Sequence, residues 1–193
     1  MTKQQMRAIG WTMMVGVVVS APAIVLAVAR TRAARAIDAR VERGKYLVSV
    51  IGCNDCHTPL KMGRQGPEPD MTRFLSGHPE TVRVTPPPAP LGMWLWSATA
   101  TNAAFAGPWG VSYTANLTPD QNTGLGIWTE DMFVRAIRTG RHMGSSREIA
   151  PPMPWPAFRH ATDDDLRSIF AYLRTIRPVV NHVPDYQPPA GTH

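Results

Sequence analysis

The chain has 193 residues, 44% of them hydrophobic, which allows one domain with additions. Its net charge of +6 arises wholly in residues 1–45, where eight basic side chains face two acidic ones, while residues 46–193 balance. Nucleic-acid binding needs a basic face on the domain itself, so the composition excludes that class.

The first element is "IGWTMMVGVVVSAPAIVLAVA", residues 9–29, without a charged side chain. As a helix it reaches about 30 Å, the thickness of a bilayer core. Its length predicts one N-terminal transmembrane helix, an anchor over residues 1–30, with Pro22 tolerated as a kink. A signal peptide cleaved after Ala27-Val28-Ala29 is the alternative. Arg30, Arg32, Arg35, Arg40 and Arg43 follow, and charge bias alone would hold them in the cytoplasm.

Residues 31–193 form the second unit. In "ARVERGKYLVSVIGC" the positions of Val41, Tyr46, Leu47, Val48 and Ile51 predict a helix. It leads into "GCNDCHTP", which holds both cysteines of the chain, Cys53 and Cys56, and then His57. A redox disulfide of the thioredoxin type calls for a surrounding βαβ pattern, which is missing. Structural zinc calls for four ligands, and no histidine pair has the required spacing. The remaining reading is covalent haem c, whose signature is C-x-x-C-H. Two thiols on one turn reach two vinyl groups of one porphyrin, and the adjacent His57 becomes an axial ligand.

Leu60 to Pro108 is rich in proline and reads as a long loop. Trp94, Trp96, Phe105 and Trp109 are expected to pack on the haem edge and the domain surface, with a docking surface as the alternative. Gly66-Pro67 is a candidate source of the carbonyl that accepts the His57 ring N–H. "TEDMFVRAIRTG" predicts a helix with Thr129 as N-cap and Gly140 as its stop. "TDDDLRSIFAYLRTI" predicts another, capped by Thr162, with Leu166, Ile169, Phe170 and Leu173 as its apolar stripe. The end, "RPVVNHVPDYQPPAGTH", reads as an extended surface strap.

Ten methionines offer a sixth iron ligand. Met6, Met13 and Met14 belong to the N-terminal segment, Met62, Met71 and Met93 to the loop, and Met132 to a helix. Met153, in "APPMPWP", sits in a proline-stiffened strap and is the preferred ligand. His142 is its main rival, followed by Met143. The domain predicted is all-α: a small haem domain with long proline and aromatic loops.

The set CxxCH, "NLTPDQNTGLGIW", "RAIRTG", "PPMPW" and "DLRSIFAYLR" resembles the class I c-type cytochrome domains of the cytochrome subunits of bacterial membrane-bound alcohol and aldehyde dehydrogenases, and related single-haem membrane-anchored cytochromes. The resemblance covers about residues 42–178. Those dehydrogenase subunits carry three haem domains, whereas one C-x-x-C-H stands here. The resemblance implies one covalent haem c on Cys53 and Cys56, with His57 and Met153 on the iron. It implies single-electron transfer rather than catalysis, with redox proteins and other membrane-complex subunits as partners. A haem-c sensor and a mainly structural subunit are the alternatives. Because bacterial haem c is attached outside the inner membrane, it also implies a single-pass inner-membrane protein whose haem domain faces the periplasm.

Overall fold

The computed structural model describes residues 21–85 and 93–189. The chain divides into two units, residues 1–36 and 37–193. The described part of the first is helical from Ala21 and belongs to α1 (Ala21–Val50). The Ile24, Val25, Leu26 and Val28 side chains there are exposed.

The membrane expectation is corrected here. Residues 9–20 of the predicted span lie outside the described residues. From Ala21 the apolar run passes into a helix bearing Arg30, Arg32, Arg35, Asp38, Arg40, Glu42, Arg43 and Lys45. Charged side chains in a bilayer core are costly. No helix among the described residues is long and apolar enough to cross a membrane. The single-pass inner-membrane anchor, and with it the location of a haem domain held by that anchor at the periplasmic face, are therefore unsupported.

The second unit is not all-α. After α1 come α2 (Cys53–His57), α3 (Glu130–Thr139), α4 (Trp155–Phe158) and α5 (Asp163–Leu173). Between α2 and α3 lie two small antiparallel sheets. One pairs β1 (Leu60–Gly63) with β2 (Gly66–Pro69). The other has the order β3 (Ser97–Ala98), β4 (Ala104–Gly107), β5 (Gly110–Tyr113). Two residues between paired glycines turn each hairpin: Arg64-Gln65 between Gly63 and Gly66, and Pro108-Trp109 between Gly107 and Gly110. Two-residue connections are the tightest way to reverse a strand, so glycine here builds hairpins rather than an open loop.

The helices pack much as their patterns require. Thr129 accepts the Met132 N–H at 3.2 Å and Thr162 accepts the Asp165 N–H at 3.1 Å, which caps α3 and α5. Acidic residues fill both first turns, where the helix dipole favours them. Leu166, Ile169, Phe170 and Leu173 are all buried. They join Leu47 and Val48 of α1 and Phe133, Val134 and Ile137 of α3 in one core. α1 meets α5 at Gly44, and a β-carbon there would stand 1.9 Å from the Ser168 carbonyl oxygen. Arg43 reaches Asp165 at 2.9 Å, and Arg40 pairs with Glu130 beside this crossing.

The chain end is more than a surface strap. Asn181 is 1% exposed. Its amide donates to the Ser76 and His78 carbonyls, both at 2.8 Å, and its oxygen accepts the Glu80 N–H at 3.0 Å. Gln187 then pairs with Val111. Asn181→Ala leaves one N–H and two carbonyls without these partners. It is expected to cost about 3 kcal/mol, each of the three lost bonds being worth about 1. A urea melt that leaves the midpoint unchanged would show that this lock carries no stability.

Candidate functional site

α1 stops at Val50, and Gly52, at φ 75°, redirects the chain into α2. That left-handed value suits glycine. The following turn is held from several sides. Thr58 donates its N–H to the Asn54 carbonyl at 3.0 Å, and its hydroxyl accepts the Leu75 N–H at 3.0 Å. The Gly77 N–H donates to the His57 carbonyl at 2.8 Å.

His57 is 8% exposed. Its Nδ1 lies 2.8 Å from the Ala115 carbonyl oxygen. A carbonyl only accepts, so Nδ1 carries the proton and Nε2 keeps its lone pair. Burial holds the imidazole below its ordinary pKa, with the Ala115 carbonyl opposing in part. The expected partner, Gly66-Pro67, lies in β2 and does not serve this role. A partner offered by backbone alone has no residue signature.

Cys53 and Cys56 are free thiols. Burial pushes the Cys53 thiol up to about 12 and raises that of Cys56 as well. Both are therefore neutral groups at neutral pH. Among the described residues no cluster of three or more His, Cys, Asp or Glu side chains is arranged to hold a metal ion.

Cys53, Cys56, His57 and Met153 all line one cleft of about 440 Å³. Met153 is half-buried and packs against the core. Its strap is tied on both sides. The Ser112 hydroxyl donates to the Pro151 carbonyl, and the Ala157 and Phe158 N–H groups donate to the Pro154 carbonyl at 3.0 and 3.2 Å. His142 also lines the cleft, whereas Met143 does not. Met62, Met71 and Met93 are exposed, Met132 lies in α3, and Met6, Met13 and Met14 fall outside the described residues.

The aromatic residues of the long segment divide. Phe105 is buried and lines the cleft, with Trp96 edge-on to it at 5.5 Å. Trp109 donates to Ser112 at 3.3 Å. Trp94 is 79% exposed beside the exposed Met93 and Leu95, so it does not pack as expected. Sequence reasoning missed two cleft walls: Ser112 to Leu117, and His182 to Tyr186 of the chain end. Neither stretch carries a periodic signal.

The site thus combines a short turn bearing two thiols and an imidazole with a thioether strap between two core helices. The homologues of the chain are cytochrome c subunits of dehydrogenases. It is 29% identical over 150 residues to the fructose dehydrogenase cytochrome subunit of Gluconobacter japonicus, covering 77% of this chain and 24% of that protein. It is 29% identical over 146 residues to the gluconate 2-dehydrogenase cytochrome c subunit of Pantoea cypripedii, 75% of this chain and 25% of that one. The alcohol dehydrogenase (quinone) cytochrome c subunit of Gluconobacter oxydans is 28% identical over 152 residues, 77% of this chain and 24% of the relative. The chain thus spans about a quarter of the length of these relatives. No family model matches it.

The residues present fit a haem. Two neutral thiols, an imidazole with a free Nε2 and a thioether share a cleft walled by Phe105, Leu117, Leu125, Trp128, Ile137 and Phe158. Its volume is in the range of about 300–1,000 Å³ common for small-molecule sites.

Proposed function

We propose that the chain is an electron carrier with one covalently bound haem c. Cys53 and Cys56 would hold the haem through thioethers, and His57 Nε2 and the Met153 sulfur would bind its iron. The observation that carries this reading is the gathering of these four side chains in a single cleft. When bound, the haem supplies a one-electron couple, and methionine–histidine ligation raises its potential. The chain's own part is to hold and enclose. The Ala115 carbonyl orients the His57 ring and increases its basicity as a ligand. The tethered Pro151–Pro154 strap presents a thioether with little conformational freedom left to lose. The core walls keep water from the cleft.

The chain makes and breaks no substrate bonds in this reading. It passes single electrons between other redox proteins. The relatives are named as subunits of dehydrogenases acting on fructose, gluconate and alcohol. By that likeness its working place is within a dehydrogenase assembly, taking electrons from a substrate-oxidising subunit. The test is the intact mass of the denatured chain after co-expression with a haem c ligation system. Wild type is expected to retain the mass of one haem, and Cys53→Ser/Cys56→Ser to lose it. A wild-type chain without bound haem would overturn the proposal.

A further inference from the structure

Three polar side chains lining the cleft between α3 and the methionine strap lack a protein partner for a donor group. Trp128 has an indole N–H, which can only donate. That indole N–H makes no hydrogen bond among the described residues. His142 stands edge-on to it, the ring centroids 5.0 Å apart and the planes at 90°. The Ser146 hydroxyl donates to the His142 carbonyl at 2.9 Å and lies 3.4 Å from His142 Nδ1, and the ring Nε2 has no partner among the described residues. Among the described residues, Arg147 is the only lysine or arginine that lines the cleft. Its backbone carbonyl accepts the His142 N–H at 2.9 Å, which keeps the two residues side by side. Its guanidinium pairs with no carboxylate, because the adjacent Glu148 goes to Arg141 at 3.3 Å. Asp185, the one acidic side chain lining the cleft among the described residues, forms no ion pair with it.

Unpartnered donors at the edge of an apolar cleft suit an anion with several acceptor oxygens. Haem carries two carboxylates at one edge of an otherwise apolar ring. We propose that Arg147, His142 and Trp128 form the seat of a haem carboxylate, and that His142 serves there rather than on the iron. This rests on the haem reading above and assigns His142 a role beside Met153. Arg147 supplies the charge and a planar fork matched to a carboxylate. Trp128 supplies a directional donor, His142 a second one in the tautomer protonated at Nε2, and their edge-on packing fixes both rings. A cation on the carboxylate favours adding an electron to the iron, so the seat also raises the reduction potential.

The experiment uses the full haem-loaded chain with Arg147→Gln, Arg147→Lys and His142→Gln. Covalent haem and the charge-transfer band of methionine-ligated ferric haem are expected to persist in all three. Resonance Raman bands of carboxylate bending are expected to shift in Arg147→Gln and His142→Gln. The reduction potential should fall in Arg147→Gln and recover most of the way in Arg147→Lys. The fall should survive raised salt, since a direct contact is screened far less than a surface charge. Unchanged Raman bands, or a potential shift that salt removes, would overturn the seat and leave the cytochrome reading intact. Loss of the low-spin spectrum in His142→Gln would place His142 on the iron and overturn its assignment. Wild type without covalent haem would instead overturn the cytochrome reading, and this proposal with it.

Discussion

Gly44→Val is expected to lower the unfolding free energy by about 3 kcal/mol, the upper end of ordinary overpacking. A single added carbon at Gly44 would lie 1.9 Å from the Ser168 carbonyl oxygen, 2.6 Å from its carbonyl carbon and 2.8 Å from the Tyr172 Cβ. The first two are backbone atoms inside α5, so no rotamer change relieves the contact. The helices must separate at their crossing, and Leu47, Val48, Leu166 and Ile169 lose packing nearby. The opposing term is the gain in helix propensity on replacing glycine, about 1 kcal/mol at most. Gly44→Ala should therefore still destabilise, by less than valine. The Arg43–Asp165 pair is half-exposed and worth little, so it cannot hold the crossing alone. Urea melts should show lower midpoints at unchanged slope. Equal or raised stability in Gly44→Ala would mean that α1 and α5 do not meet this closely.

Met153→Ala is expected to keep the haem covalently bound yet open the sixth iron position. Among the described residues, Met153 is the only methionine that lines the cleft. Alanine at this place removes the thioether but leaves the Ser112–Pro151 tie and the Pro154 carbonyl bonds. The strap then stays in place with nothing at its tip. Reduced Met153→Ala should bind carbon monoxide readily, reduced wild type only weakly, and the variant's potential should fall with loss of the methionine ligand. Equal binding by the two proteins would remove Met153 from the iron. An open site in Met143→Ala would move the ligand to a residue outside the cleft walls.

How much of this was legible depends on how locally each feature is written. Cys53, Cys56 and His57 are nearly consecutive, and their chemistry is readable without a fold. The caps at Thr129 and Thr162 and the stripe of α5 follow from patterns within one helix. The His57 partner was not legible, because the Ala115 carbonyl is 58 residues away and any residue type could offer it. The hairpins were missed for a related reason. β4 is buried at Ala104, Phe105 and Ala106 in succession, so it shows no alternation. "GRQG" and "GPWG" were the available signals, and proline and glycine content hid them. Hydropathy over residues 9–29 suggested a span, but the described part of that run opens a helix that soon becomes densely charged. Asn181 looks like any polar residue in a proline-rich tail until its three hydrogen bonds are seen.

The Asn181 lock joins residues 103 and 105 positions apart in the chain. Closing so long a loop forfeits entropy before any bond repays it, which makes this contact a late one in folding. The thiol-bearing turn, by contrast, is five residues long, and the Leu75 and Gly77 bonds that hold it come from nearer in the chain. The cleft wall from His182 to Tyr186 therefore arrives after the turn it covers. During synthesis the thiols leave the ribosome well before the segment that closes over them. Chain order thus leaves a window in time during which the turn with its two thiols exists and its cover does not.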